Sequence, residues 1–194
     1  GADMPDSGRV IVNNKPLAIR KPRDAIKNRI CLLTEDRKAQ GLVLIHSCQE
    51  NFGLPNLHQF ARGIFVDQGR EKRIFSEYVK NLKIKISSHD QFAMNLSGGN
   101  QQKLVLAKWL AGTADIIIFD EPTRGIDVGA KFEIYQLINR LAGEVKAIIM
   151  VSSELPELLG MCDRIMVMHE GRVKGEITNV QHATQEDILS MAIA

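Results

Sequence analysis

The chain has 194 residues, enough for one domain with a full hydrophobic core and too few for two complete ones. Its 44% hydrophobic and 25% charged residues are ordinary for a globular protein. A net charge of +2 falls far short of the clustered basicity of a nucleic-acid binder, so no nucleic-acid partner is expected. Cys31, Cys48 and Cys162 are odd in number and widely spaced in apolar runs, which predicts buried thiols rather than a disulfide frame or a metal site. With no apolar stretch of about 18 residues and no basic-apolar leader, any membrane link is expected to come through a partner.

In chain order, Val10-Ile11-Val12 and Pro16-Leu17-Ala18-Ile19 flank Asn13-Asn14-Lys15 and read as a β-hairpin. Ile30 to Leu33 is a buried-strand candidate ending at the polar loop Thr34 to Lys38. From Ser47 to Leu110 the pattern is helical; Ile74, Phe75, Tyr78, Val79 and Leu82 take the spacing of an amphipathic helix. Ser97 is a suitable N-cap for a helix that runs on to Leu110. Asp115 to Asp120 and Ala147 to Val151 are apolar strand-length runs with a helical segment, Val128 to Leu141, between them, the pattern of a parallel βαβ unit. Arg164 to Met168 supplies another strand, and Val173 to Ala194 reads as a hairpin arm followed by a helix capped at Thr184. No internal repeat or low-complexity segment is visible.

Two constellations carry chemistry. In Ile116-Ile117-Ile118-Phe119-Asp120-Glu121-Pro122-Thr123, the apolar run sets Asp120 at a sheet edge, where a carboxylate can hold Mg²⁺ through water, beside Glu121, which can orient or deprotonate a water. Taken alone, the same string is equally a strand followed by an acidic turn. In Leu96-Ser97-Gly98-Gly99-Asn100-Gln101-Gln102-Lys103, free N–H groups at a helix start suit a phosphate, and glycine permits close approach. A lone Ser-Gly cap is more often a plain turn; the two strings at this separation are far more specific together.

These residues resemble those of ATP-binding-cassette (ABC) proteins: Leu96 to Gly99 is similar to the signature motif, Ile116 to Thr123 to the Walker B, and Arg124-Gly125-Ile126-Asp127 to the D-loop. More narrowly, Asn95–Lys103, Asp120–Lys131 and Ser152–Asp163 resemble the second cassette of the fused ATPases of bacterial monosaccharide importers for ribose, xylose, arabinose and galactose. The resemblance implies an α/β fold, a partial P-loop NTPase-type parallel sheet core with an inserted α-helical subdomain and an N-terminal β-hairpin. It implies residues 1–41 as the β region and Q-loop, 42–112 as the helical subdomain with the signature, and 113–194 as the α/β core with Walker B, D-loop and switch region. The implied activity is ATP hydrolysis driving sugar import, at the cytoplasmic face of the bacterial inner membrane. Implied partners are transmembrane permease subunits, a second cassette and, indirectly, a periplasmic sugar-binding protein. Asp120 is the implied Mg²⁺ ligand, Glu121 the general base, Ser153 the switch residue, and Ser97, Gly98, Gly99, Gln101, Glu35 and Asp127 the ATP contacts. Ser97 to Gly99 would close over nucleotide held by the other cassette.

The sequence departs from the family in three places. No G-x-x-x-x-G-K-[S/T] string occurs, which predicts an excised fragment or incomplete gene product that binds ATP poorly by itself. Glu35 stands where the family has glutamine, and Ser153 where it has its switch histidine, so a degenerate cassette with an allosteric or docking role is the alternative. The five histidines show no metal-ligand spacing and are expected in surface or capping roles. Trp109 is expected in the core. Arg37 and Lys38 are expected on the surface, as ion pairs or as a contact to a membrane subunit.

Overall fold

Ile116 to Phe119 are β-branched or aromatic throughout, a composition that favours a pleated, packed strand over a helix. In a computed structural model, which describes residues 1–144 and 146–193, they lie in the middle strand of a three-stranded parallel sheet.

The chain opens with the hairpin β1 (Val10–Val12) and β2 (Lys15–Leu17). Asn13 and Asn14 turn it at φ of 50° and 61°, the pair of left-handed residues that a tight hairpin needs. Helix α1 (Pro22–Lys27) leads into β3 (Ile30–Leu33), which is followed by a π-helical turn at Arg37–Gly41. A helical region comes next: α2 (Cys48–Gly53), α3 (Leu57–Phe60), α4 (Gln68–Asn81) and α5 (Gly98–Ala111). A small hairpin, β4 (Ala61–Arg62) with β5 (Phe65–Val66), interrupts it. Then follow β6 (Ile116–Asp120), α6 (Val128–Gly143), β7 (Ala147–Val151) and α7 (Leu155–Met161). The chain ends with the antiparallel pair β8 (Ile165–His169) and β9 (Arg172–Ile177) and with α8 (Gln185–Ile193). Thr184 caps α8 as expected, its hydroxyl accepting from the Asp187 N–H at 3.2 Å while Asp187 reaches back to the Thr184 N–H at 2.8 Å. The last residue of that expected helix, Ala194, lies outside the described residues, as does Val145.

The sheet order is β3-β6-β7, with Cys31, Ile117 and Ile148 in register, and Leu33, Phe119 and Met150 two residues further on. These residues face a core completed by Leu104, Val105 and Leu106 of α5 and by Ile134, Leu137, Ile138 and Leu141 of α6. The same core continues into the helical region, where Phe52 stacks against Phe60, Phe75 and Tyr78 at centroid distances of 6.1, 5.1 and 5.4 Å. One continuous apolar interior therefore joins the sheet to α5, and the position of one fixes that of the other. The apolar runs read as strands buried on both faces; instead Leu32, Ile149 and Val151, at 45%, 52% and 50% exposure, lie on a face that no described element covers. Arg164 to Met168 does form a strand, but it pairs with β9 rather than with the parallel sheet.

Candidate functional site

A parallel sheet offers ligands the carboxyl ends of its strands, and three of the expected residues lie there. Asp120 closes β6 half-buried, and no described side chain or main-chain group pairs with its carboxylate. Glu121 follows at φ +46°, a left-handed conformation that strains any residue with a β-carbon. Three hydrogen bonds hold it there: its N–H donates to the Val151 carbonyl at 2.9 Å, its carbonyl accepts from the Arg124 N–H at 3.1 Å, and its carboxylate accepts from the Ser153 N–H at 2.8 Å. Glu121 and Ser153 thus meet through the main chain of Ser153; its exposed hydroxyl has no partner among the described residues.

The turn carrying Ser153 is anchored from below by a residue that the sequence did not single out. Glu157 is 5% exposed, and its carboxylate accepts from the Thr123 hydroxyl at 3.1 Å and from the Ser152 hydroxyl. Thr123 is itself 1% exposed. A lone acid among Leu155, Pro156, Leu158 and Leu159 was the available signal, since a buried carboxylate must be hydrogen-bonded.

Glu35 is exposed and pairs with the Arg124 guanidinium, so its carboxylate is engaged within the chain. Arg37 departs from expectation: it turns inward, half-buried, with its guanidinium donating to Gln101 Oε1 at 3.4 Å and to the carbonyls of Arg124 and Gly125 at 3.1 and 3.5 Å. Burial pulls its pKa below the ordinary arginine value, partly offset by Asp36. Lys38 remains exposed, as the surface reading had it.

Ser97 takes the N-cap position of α5 with φ −63° and ψ 157°, but its hydroxyl caps no main-chain group; it accepts from the Asn100 side-chain amide at 2.9 Å. The N–H groups of Gly98, Gly99 and Asn100 have no acceptor among the described residues, which leaves the positive end of a 14-residue helix free to meet an anion. The two glycines also have internal reasons to lack a side chain. A β-carbon at Gly98 would sit 2.6 Å from Arg37 Nη2, and one at Gly99 would sit 2.9 Å from Ala130 Cβ. Gln101, expected among the ATP contacts, instead faces the interior at 3% exposure, donating to the Ala93 carbonyl at 3.1 Å while accepting from Arg37. Asp127 is the N-cap of α6, its carboxylate accepting from the Ala130 N–H at 2.9 Å, and it stays exposed.

Among the described residues no group of three or more His, Cys, Asp or Glu could hold a metal by itself. The donor set does fit Mg²⁺, which protein sites commonly bind through one or two carboxylates with water and substrate phosphate completing the shell. Asp120 offers such a carboxylate. Cys31 and Cys48 are buried as expected, and burial pushes their thiols up to about 12 and about 11. Cys162 is half-buried. His46 and His89 are less superficial than expected, each burying an Nδ1 without a partner among the described residues. Trp109 packs partly buried against the core, with Lys108 Nζ 5.5 Å from its ring centroid. Two cavities, of about 580 and 620 Å³, are lined by none of the expected site residues. The candidate site is an open edge rather than an enclosed pocket.

Comparison with known proteins shows what the chain is similar to. The family model of ABC transporters matches residues 1–124. A Rhizobium etli protein named as a ribose/galactose/methyl galactoside import ATP-binding protein is 53% identical over 192 residues, 99% of this chain and 36% of its own length. The ribose import ATP-binding protein RbsA of Bacillus subtilis is 50% identical over 192 residues, 99% of this chain and 39% of its own length. The chain thus spans less than two fifths of these relatives. Among solved structures, the ATP-binding cassette MJ1267 superposes with a TM-score of 0.77 at 20% identity, over 96% of this chain and 77% of its own. The dimeric cassette MJ0796 bound to ADP and Pi does so at 0.73 and 24%, over 90% of this chain and 75% of its own. At these identities the superpositions speak for the fold: a mixed α/β cassette with a parallel sheet, consistent with the P-loop NTPase-type core.

Proposed function

The chain belongs to the ABC transporter family, and from that premise we propose that it is the signature-bearing part of an ATP-hydrolysing cassette that powers sugar import. In this reading residues 1–41, 42–112 and 113–194 are its β region with Q-loop, its helical subdomain and its α/β core. Ser97, Gly98 and Gly99 turn the free N–H groups of α5 toward the phosphates of an ATP held by a second cassette. Gln101 is left out of the contact set, because it supports that helix from inside.

The observation that carries the reading is the pairing of Glu121 with Ser153 beside the free carboxylate of Asp120. Asp120 would hold Mg²⁺, which when bound neutralises charge developing on the phosphate oxygens. Glu121, fixed by Ser153, receives a proton from the attacking water. The Glu157–Thr123–Ser152 network keeps the turn carrying Ser153 at the right height above the sheet. Asp127 stands at the exposed start of α6, where it can face the partner cassette.

The partners in this reading are transmembrane permease subunits, a second cassette and, indirectly, a periplasmic sugar-binding protein. The chain sits peripherally at the cytoplasmic face of the inner membrane, and among the described residues no helix is long and apolar enough to cross one. A second reading, a cassette with a silent site that serves docking or allostery, is favoured by the engagement of Glu35 with Arg124 and by the short hydroxyl at Ser153. ATP hydrolysis by the full-length protein carrying Glu121→Gln separates the two: loss of turnover supports catalysis here, and undiminished turnover supports the silent site.

A further inference from the structure

Arg37 joins segments that the sequence keeps far apart. It projects from the first turn after β3 and reaches Gln101, 64 residues on, and the carbonyls of Arg124 and Gly125, 87 and 88 residues on. It uses its Nε and both terminal nitrogens, so the rigid planar fork fixes all three acceptors relative to one another. Gln101 lies in the first turns of α5, just behind Ser97 to Gly99, and Arg124 and Gly125 open the loop that ends at Asp127. The slot is tight: a β-carbon at Gly98 would lie 2.6 Å from Arg37 Nη2 and 3.3 Å from the Gly125 carbonyl. Glu35, two residues before Arg37, holds the side chain of Arg124 and braces the same junction from its solvent side.

We propose that Arg37 is a positioning residue that locks the start of α5 to the 124–127 loop, so that Ser97–Gly99 and Asp127 face the nucleotide as one unit set by the strand end of β3. The inference rests on the reading that Ser97–Gly99 meet phosphate, and it adds what holds them in place. Arg37 touches no substrate in this arrangement; it acts through Gln101 and through two main-chain carbonyls. The expected consequence is a defect in the reacting geometry with little change in nucleotide affinity.

The test uses the full-length protein assembled with its transport partners, carrying Arg37→Met or Arg37→Lys, with Arg164→Met as control, since among the described residues Arg164 pairs only with Glu176 in the β8–β9 hairpin. ATP turnover is divided by the number of sites that bind a fluorescent ATP analogue, which removes any loss due to misfolding. Arg37→Met is expected to lower kcat per site about 10- to 100-fold with KM for ATP unchanged. Arg37→Lys recovers only part, because an ammonium cannot span Gln101 and Gly125 together. A per-site kcat within about twofold of the parent, or full rescue by lysine, overturns the assignment. Ser97→Ala in the same assay tells the two levels apart: if it spares hydrolysis the underlying reading fails, and if it slows hydrolysis while Arg37→Met is parent-like, Arg37 alone falls.

Discussion

The carboxylate of Glu121 accepts the main-chain N–H of Ser153 at 2.8 Å, which ties the residue after β6 to the second residue after β7. Glutamine at 121 retains an oxygen that can accept the same bond, so Glu121→Gln keeps the fold while removing the base proposed above. Turnover in the full-length protein is expected to fall about 100- to 10,000-fold, the range for loss of a general base, with the thermal midpoint unchanged. Since Ser153 contributes its N–H and not its hydroxyl, Ser153→Ala should slow ATP turnover less than Ser97→Ala does. Equal losses from the two in a steady-state assay would contradict this division of labour.

Gly99 of α5 lies directly against Ala130 of α6. A β-carbon at 99 would lie 2.9 Å from that of Ala130, so Gly99→Ala forces the helix starts apart. The expected cost is about 1–3 kcal/mol, typical of overpacking. Ala130→Gly reopens the space, and the double variant, followed by urea denaturation, should be more stable than the sum of the single changes predicts.

Thr123 and Glu157 form the buried polar contact under the Ser152–Ser153 turn. Thr123→Val keeps the shape and leaves one oxygen of a buried carboxylate without its donor, a loss of about 1–3 kcal/mol. Glu157→Gln should be milder in stability, because an amide is easier to bury than a carboxylate. Chemical denaturation of the two variants side by side checks that order.

Lys108 is half-buried beside Trp109, donates to the Gly41 carbonyl, and has its pKa lowered by desolvation from 10.5 to about 8. Between those values the folded chain has released a proton that the unfolded chain keeps, so raising the pH favours folding. Below about pH 8 both states hold the proton, and the trend flattens. Cys31 and Cys48 work in the opposite sense from about pH 8 upward, since their buried thiols keep their protons to about 12 and about 11 while the unfolded thiols ionise around 9.0. Urea midpoints are expected to fall more between pH 8 and 9 in Lys108→Met, where the thiols act alone, than in the parent chain, where Lys108 opposes them.

Much of this was legible in the sequence because it is periodic and local. The parallel βαβ unit, the Asn13-Asn14 turn and the Thr184 cap each follow from a few neighbouring residues, and the acid pair and the glycines located the candidate site. The orientation of α5 was hidden: Gln101, Gln102 and Lys103 look exposed by composition, yet each is buried, because Ala93 and Arg37 satisfy Gln101 while Glu133 and the Lys83 carbonyl hold Lys103. Arg37 was misplaced for a related reason, since its acceptors lie in distant segments and two of them are carbonyls, which no side-chain pattern reveals. The β4–β5 hairpin, with two residues in each strand, is too short for alternation to register.

The φ of +46° at Glu121 sets stability against activity at one position. Glycine adopts that backbone without penalty, so Glu121→Gly would relieve strain of order 1–2 kcal/mol while deleting the carboxylate. A search for variants that withstand heat would therefore gain backbone ease at this position at the expense of the bond to the Ser153 N–H and, on the proposed reading, of turnover. Selection for turnover pulls the other way, and the three hydrogen bonds around Glu121 are what allow the less comfortable residue to stay.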